Sequence, residues 1–256
     1  MELKFKRLLF SSFVAGLLLT SCASKQDVVY FQDAGNFETI VSDFNFEPKF
    51  KIDDELSIVV STLDKEASIP FNIFQGAQEG EIRPKQVSYL VDKDGEIEFP
   101  VIGKVKVVGL TAQELRLLLQ DKLSDYLKNP IINIRLKNFT VTILGQVNKP
   151  GTYAVEGEKI TIMEALGLAG DLNIKGQRQN VLVIREFEGT KLYTRIDLTS
   201  KNAFESPVYY LTQNDVVYVE PNQSAVTSSS LDNRASILVS IASLLITSTV
   251  LIITRN

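Results

Sequence analysis

The sequence predicts an α+β fold: two small β-rich modules followed by a C-terminal transmembrane helix. Three observations predict it. Alternating, strand-like runs lead twice into a Thr-x-x-Glu helix start, at Thr111–Glu114 and at Thr161–Glu164. Tight-turn pairs separate those runs. The twenty residues from Ala235 to Thr254 carry no charge.

At the N-terminus, Lys4, Lys6 and Arg7 precede the apolar run LLFSSFVAGLLL, which is short for a membrane span and long enough for a secretory leader. The leader closes on Leu19-Thr20-Ser21-Cys22, which resembles the lipobox of bacterial lipoproteins. Cleavage after residue 21 would leave Cys22, the only cysteine, as the lipid attachment site. Without the leader's three basic residues and one acidic residue, the chain keeps 24 basic and 30 acidic residues, a net charge of −6. That mild acidity gives no footprint for nucleic acid. Residues 22–47 read as a leash between the lipid and the first module.

The first module is assigned to residues 48–137. FKIDDELSIVV is a turn and a strand, and Asp94-Gly95 lies between two alternating runs, a hairpin signal. Thr111 and Glu114 form a capping-box pattern. Leu115, Leu118, Leu119, Leu123, Tyr126 and Leu127 continue with helical spacing and make one apolar stripe. Asn129-Pro130 ends the helix, and IINIRL begins a strand.

The second module is assigned to residues 138–221. FTVTILGQV and TYAVEG are strands joined by the turn Lys149-Pro150-Gly151. Thr161 and Glu164 open a short helix, with Gly170 as its stop. Glu188-Gly189 marks a hairpin, and Gln213-Asn214-Asp215 separates two short strands. The order of strand, turn and capped helix recurs in both modules. Residues 222–234, rich in Ser, Thr and Asn, read as a flexible polar linker.

As a helix, residues 235–254 would be about 30 Å long, enough to span a bilayer core. Arg234 and Arg255 flank the segment, where their side chains can reach headgroups. Ser236, Ser240, Ser243, Thr247 and Thr254 fall on one stripe at helical spacing. Three readings of that stripe stand: it lines a wet lumen in a ring of helices, it packs helix against helix, or the helix is a lone anchor.

Little catalytic chemistry is present. There is no histidine, and no second cysteine for a thiolate metal site. Asp53-Asp54-Glu55 and Asp92-Lys93-Asp94-Gly95 are read as solvated turns rather than metal ligands. Glu114 and Glu164 suit glycoside chemistry as a carboxylate pair, but helix capping accounts for both. No metal and no cofactor is expected.

FKIDDELSIVV, VDKDGEIEFPVIGKVKVVGLTAQEL and YLKNPIINIRL together resemble the module of bacterial polysaccharide export proteins, lipoproteins of the outer membrane. VTILGQVNKPGTYAVEGEKITIMEALGLAGDL, NVLVIRE and LTQNDVVYVEP resemble the SLBB (soluble ligand-binding β-grasp) domain that follows it. The resemblance implies a homo-oligomeric ring, octameric in its best-known form, with the modules in the periplasm and the terminal helices crossing the outer membrane. It also implies an inner-membrane copolymerase, often a tyrosine kinase, as partner, and polysaccharide as cargo. The runner-up is a membrane-tethered glycan-binding adaptor without a pore, and the third reading is a glycan-processing enzyme.

Overall fold

Apolar residues at every second position build the strands in this computed structural model. It describes residues 28–36, 39, 46–75, 85–187 and 189–231, and eight residues further on (237, 239–241, 243, 244, 247 and 248). In the first module β1 (Glu55–Ser61) alternates, with Leu56, Ile58 and Val60 buried. A one-turn helix α1 (Lys65–Ser68) follows, then β2 (Phe74–Gln75) and β3 (Lys85–Gln86), which pair with each other. Next come β4 (Tyr89–Leu90), β5 (Glu96–Phe99), β6 (Gly103–Lys106), α2 (Ala112–Leu123) and β7 (Ile131–Leu136). The main sheet has the order β4-β1-β7 and is antiparallel throughout. Leu115, Leu119 and Leu123 of α2 pack into its core.

Two details differ from the sequence reading. Asp94-Gly95 does not join two paired strands. β4 pairs with β1 while β5 pairs with β6, and the Asp92 carboxylate closes the turn by accepting from the backbone of Asp94 and Glu96, both at 2.9 Å. The apolar stripe also outruns its helix. α2 stops at Leu123, so Tyr126 faces solvent, while Leu127 is buried by the following turn.

The second module contains β8 (Thr140–Gly145), β9 (Gly151–Ala154), β10 (Ile160–Thr161), α3 (Ile162–Leu168), β11 (Val181–Phe187), β12 (Thr190–Ile196), β13 (Tyr210–Leu211) and β14 (Val216–Val219). Its sheet runs β12-β11-β14-β8-β9, with β14 and β8 parallel and the other pairs antiparallel. Ile162, Ala165 and Leu166 of α3 close the core over it. Gly145, at φ +89, has Val219 O where a Cβ would sit, at 2.0 Å, so only glycine fits there. The recurring motif is local. Both capping boxes form with the same lengths, 2.8 Å from Thr N to Glu Oε2 and 3.2 Å from Glu N to Thr Oγ1, but the sheets around them differ.

The predicted leash and linker are both structured in part. Residues 28–33 are docked on the second module. Phe31 N and Gln32 N donate to Leu198 O and Thr199 O, at 3.2 and 2.7 Å, and Phe31 stacks on Phe204 with ring centroids 4.8 Å apart. An aromatic pair with a sheet-edge loop to bond is a strap rather than a leash. Residues 223–231 form the helix α4 (Gln223–Leu231), where a flexible linker was expected. Thr227, Ser228 and Ser229 bond back to carbonyls one turn earlier, as Thr227 Oγ1 does to Gln223 O at 2.8 Å. Among the described residues no helix is long and apolar enough to cross a membrane. The described residues of the 235–254 stretch are helical, and the rest of that stretch lies outside the described residues.

Candidate functional site

Of the residues singled out by sequence, Cys22, Arg234, Ser236, Thr254 and Arg255 lie outside the described residues. Ser240, Ser243 and Thr247 are described and helical. Ser243 Oγ donates to Ser240 O at 2.8 Å, and Thr247 Oγ1 donates to Ser243 O at 2.7 Å. These two hydroxyls are therefore satisfied within their own helix. Ile237, Val239, Ile241 and Leu244 beside them are all more than half exposed in the single chain. An apolar surface of this kind needs a cover.

Sequence reasoning missed the loop Asp171–Arg178, on which the strap and the start of α4 meet. Its organiser is Arg178, which is buried. The guanidinium donates to Leu172 O (3.2 Å), Gly176 O (3.2 Å) and Asn173 O (3.4 Å), so the loop wraps around a cation. Tyr30 of the strap covers that cation with its ring centroid 5.3 Å away, and its hydroxyl donates to Asp171 Oδ1. Burial, then the Asp171 carboxylate, push the Tyr30 phenol well above its usual range. On the same loop, Asn222 N donates to Lys175 O (2.7 Å) and Asn222 Nδ2 to Ile174 O (3.0 Å) just before α4 begins. The strap from the N-terminus and the start of the C-terminal helix thus meet on one loop. The aromatic pair Tyr30-Phe31 was the available signal, but nothing in its local pattern names a partner more than a hundred residues away.

A second feature lies between the modules. Asn138 stitches them: Glu55 N donates to its Oδ1 (2.9 Å) and its Nδ2 donates to Asp53 O (2.8 Å). Lys51 Nζ reaches across to Thr212 Oγ1 (3.0 Å) and Gln213 O (3.2 Å). Those acceptors sit on a turn held by Asp215, which is fully buried. Its carboxylate accepts from Arg185 Nη2 (2.7 Å) and Nε, and from Thr212 N (2.7 Å). Burial depresses the Lys51 ammonium below its ordinary pKa.

Asp54, expected in a solvated turn, is 2% exposed, and Oδ2 accepts from Lys51 N at 2.8 Å. Burial raises its pKa to about 6. Beside this junction opens a cleft of about 460 Å³, lined by both modules and by residues 46–50. No group of three or more potential metal ligands occurs among the described residues. Glu114 and Glu164 are each engaged in their own capping box, not paired with each other.

The two modules match two family sequence models in tandem. "Polysaccharide biosynthesis/export protein" covers residues 46–137 and "SLBB domain" covers residues 140–219. The chain belongs to the polysaccharide biosynthesis/export family. Among curated proteins, it is similar to the EPS I polysaccharide export outer membrane protein EpsA of Ralstonia solanacearum. The two are 26% identical over 146 residues, which is 56% of this chain and 38% of that protein. The protein of the same name from Ralstonia nicotianae is 26% identical over 147 residues, with the same shares. The match thus spans little more than a third of these relatives' length.

Proposed function

We propose that this chain is a non-catalytic, ring-forming subunit of an outer-membrane translocon that exports capsular or extracellular polysaccharide. Cys22 holds the lipid, the modules lie in the periplasm, and residues 235–254 form the membrane helix. Family membership and the names of the relatives support the export role and the outer-membrane location. The observation that carries the arrangement is the convergence of both chain ends on Asp171–Arg178. Five residues lie between Cys22 and Val28, so the reach is about 20 Å when fully extended. The lipid and the terminal helix therefore both leave from the second module and can enter one membrane together. The first module then points away from that membrane, towards an inner-membrane copolymerase or kinase.

The test has two arms. Particles extracted in mild detergent are imaged for rotational symmetry, and a tag placed after Asn256 is probed on intact cells. A symmetric ring with a surface-accessible tag is expected. A monomer, or a tag that stays hidden, removes the translocon reading. Cys22→Ser should release the modules from the lipid without unfolding them, as read by fractionation.

A second reading, the tethered glycan-binding adaptor, gains from one observation: the Ser243 and Thr247 hydroxyls are satisfied within their own helix and need no wet lumen. It expects full export when residues 235–254 are replaced by an unrelated apolar helix, whereas a pore expects loss.

A further inference from the structure

The cleft between the modules has a composition that neither core requires. Its floor is apolar, formed by Phe50, Ile134 and Phe139, all buried. Around that floor stand Lys49, Arg116, Arg135 and Lys159, contributed by residues 46–50, α2, β7 and the turn before β10. Among the described residues none of these four is in an ion pair; the ion pairs there are Lys104–Glu96, Arg185–Asp215 and Arg195–Glu220. Four cationic residues thus line the cleft against three acidic ones, Glu47, Asp54 and Glu158, and Asp54 is buried and engaged by its own turn, so positive charge is in excess at the cleft.

Two of the cations are held in place. Arg116 Nε donates to Ile132 O at 3.2 Å, and Nη1 donates to Gln113, which orients the guanidinium. Lys159 Nζ lies 5.0 Å from the Tyr210 ring centroid, and Phe46 stacks on the same Tyr210 ring, with centroids 5.2 Å apart. Two exposed carboxylates, Glu47 and Glu158, share the rim, while the third, Asp54, is already engaged by Lys51 N.

We propose that this cleft binds a carboxylate-bearing sugar unit of an acidic glycan, with Arg116, Arg135 and Lys159 taking the carboxylate, Glu47 and Glu158 taking hydroxyls, and Phe46 stacking on a ring face. The proposal rests on the export reading and names the chemistry of its cargo. Each part has a physical reason. Guanidinium forks match carboxylates in plane and spacing. Rim carboxylates accept from sugar hydroxyls, which separates an acidic sugar from an acidic peptide. An apolar floor with a few convergent polar groups, at about 460 Å³, has the size and make-up of a small-ligand site.

The test uses the full chain in detergent micelles and isothermal titration. The probes are a tetrasaccharide of alternating glucuronate and N-acetylglucosamine, the same tetrasaccharide with its carboxyls reduced to alcohols, and tetraglutamate. The acidic sugar should bind at least about tenfold more tightly than either comparison probe. Arg135→Gln and Lys159→Gln should each weaken it about tenfold, with unchanged unfolding midpoints, while Lys191→Gln on β12 should have no effect. Equal binding of the reduced sugar or of tetraglutamate overturns the proposal, as does insensitivity to both cleft variants. If the acidic sugar does not bind while deletion of the chain abolishes surface polysaccharide, the cleft proposal fails and the export reading stands. If it binds but deletion leaves surface polysaccharide intact, the export reading fails.

Discussion

Replacing Asp54 with asparagine should stabilise the protein at neutral pH and not at acidic pH. Asp54 is 2% exposed, and its single strong bond is from Lys51 N, which an amide oxygen can also accept. Burial raises its pKa from 3.8 to about 6; the Lys51 amide and ammonium oppose the shift, and Asp53 adds to it. The sign follows from proton counting. Between the two values the folded state holds a proton that the unfolded state has released, so stability falls as pH rises through that window. Below about pH 4 the carboxyl is neutral in both states and costs nothing. Above about pH 6 it is ionised in both, and the folded state bears the whole penalty. A shift of about two units at 1.36 kcal/mol each gives about 3 kcal/mol. Asp54→Asn removes that term. The gap between variant and parent should therefore widen by about 3 kcal/mol, in favour of the variant, from about pH 4 to about pH 7. Guanidinium unfolding of both proteins across that range, followed by tyrosine fluorescence since there is no tryptophan, measures it. A gap that stays flat with pH, or that widens towards acid, refutes the reasoning.

Other substitutions report on other parts of the fold. Gly145→Ala should cost about 3 kcal/mol or more, or prevent folding, because its Cβ would sit 2.0 Å from Val219 O at a φ of +89; guanidinium midpoints or loss of soluble expression read it. Arg185→Met should cost about 3–5 kcal/mol by leaving the Asp215 carboxylate buried without its cation, measured by the same unfolding curves. Tyr30→Ala should speed amide exchange at Phe31 and Gln32, whose N–H groups bond to Leu198 and Thr199, and leave exchange at Val141 in β8 unchanged.

Local chemistry was legible in the sequence and long-range placement was not. Thr111 with Glu114, and Thr161 with Glu164, announce helix starts because the capping residue and its partner lie within one turn. Alternation placed β1, β7 and β8 for the same reason: period two is a property of consecutive residues. Asp54 was misread, while Asp53 beside it is exposed as expected, because burial is set by what folds over a turn. Here Lys51, whose side chain reaches across to the second module, holds the buried Asp54 carboxylate through its backbone N–H. The Asp94-Gly95 turn exists, yet its flanking strands take other partners, since the dipeptide specifies a reversal and not which strand pairs with which. The cations of the cleft are scattered from Lys49 to Lys159, and only the packing of the modules brings them to one cavity. The strap looked like a leash because its apolar and aromatic residues follow neither a helical nor a strand period.

Arg178 gives the molecule a load path. A pull exerted between the two chain ends enters through Tyr30 and Asn222 and is carried across the few residues from Asp171 to Arg178. The first module hangs to one side, fastened by Lys51 and Asn138. Tugging at the ends strains a loop threaded on a buried guanidinium before it strains either core. The first part to yield under tension should be the Tyr30 clasp, which can open and reclose while both modules stay folded.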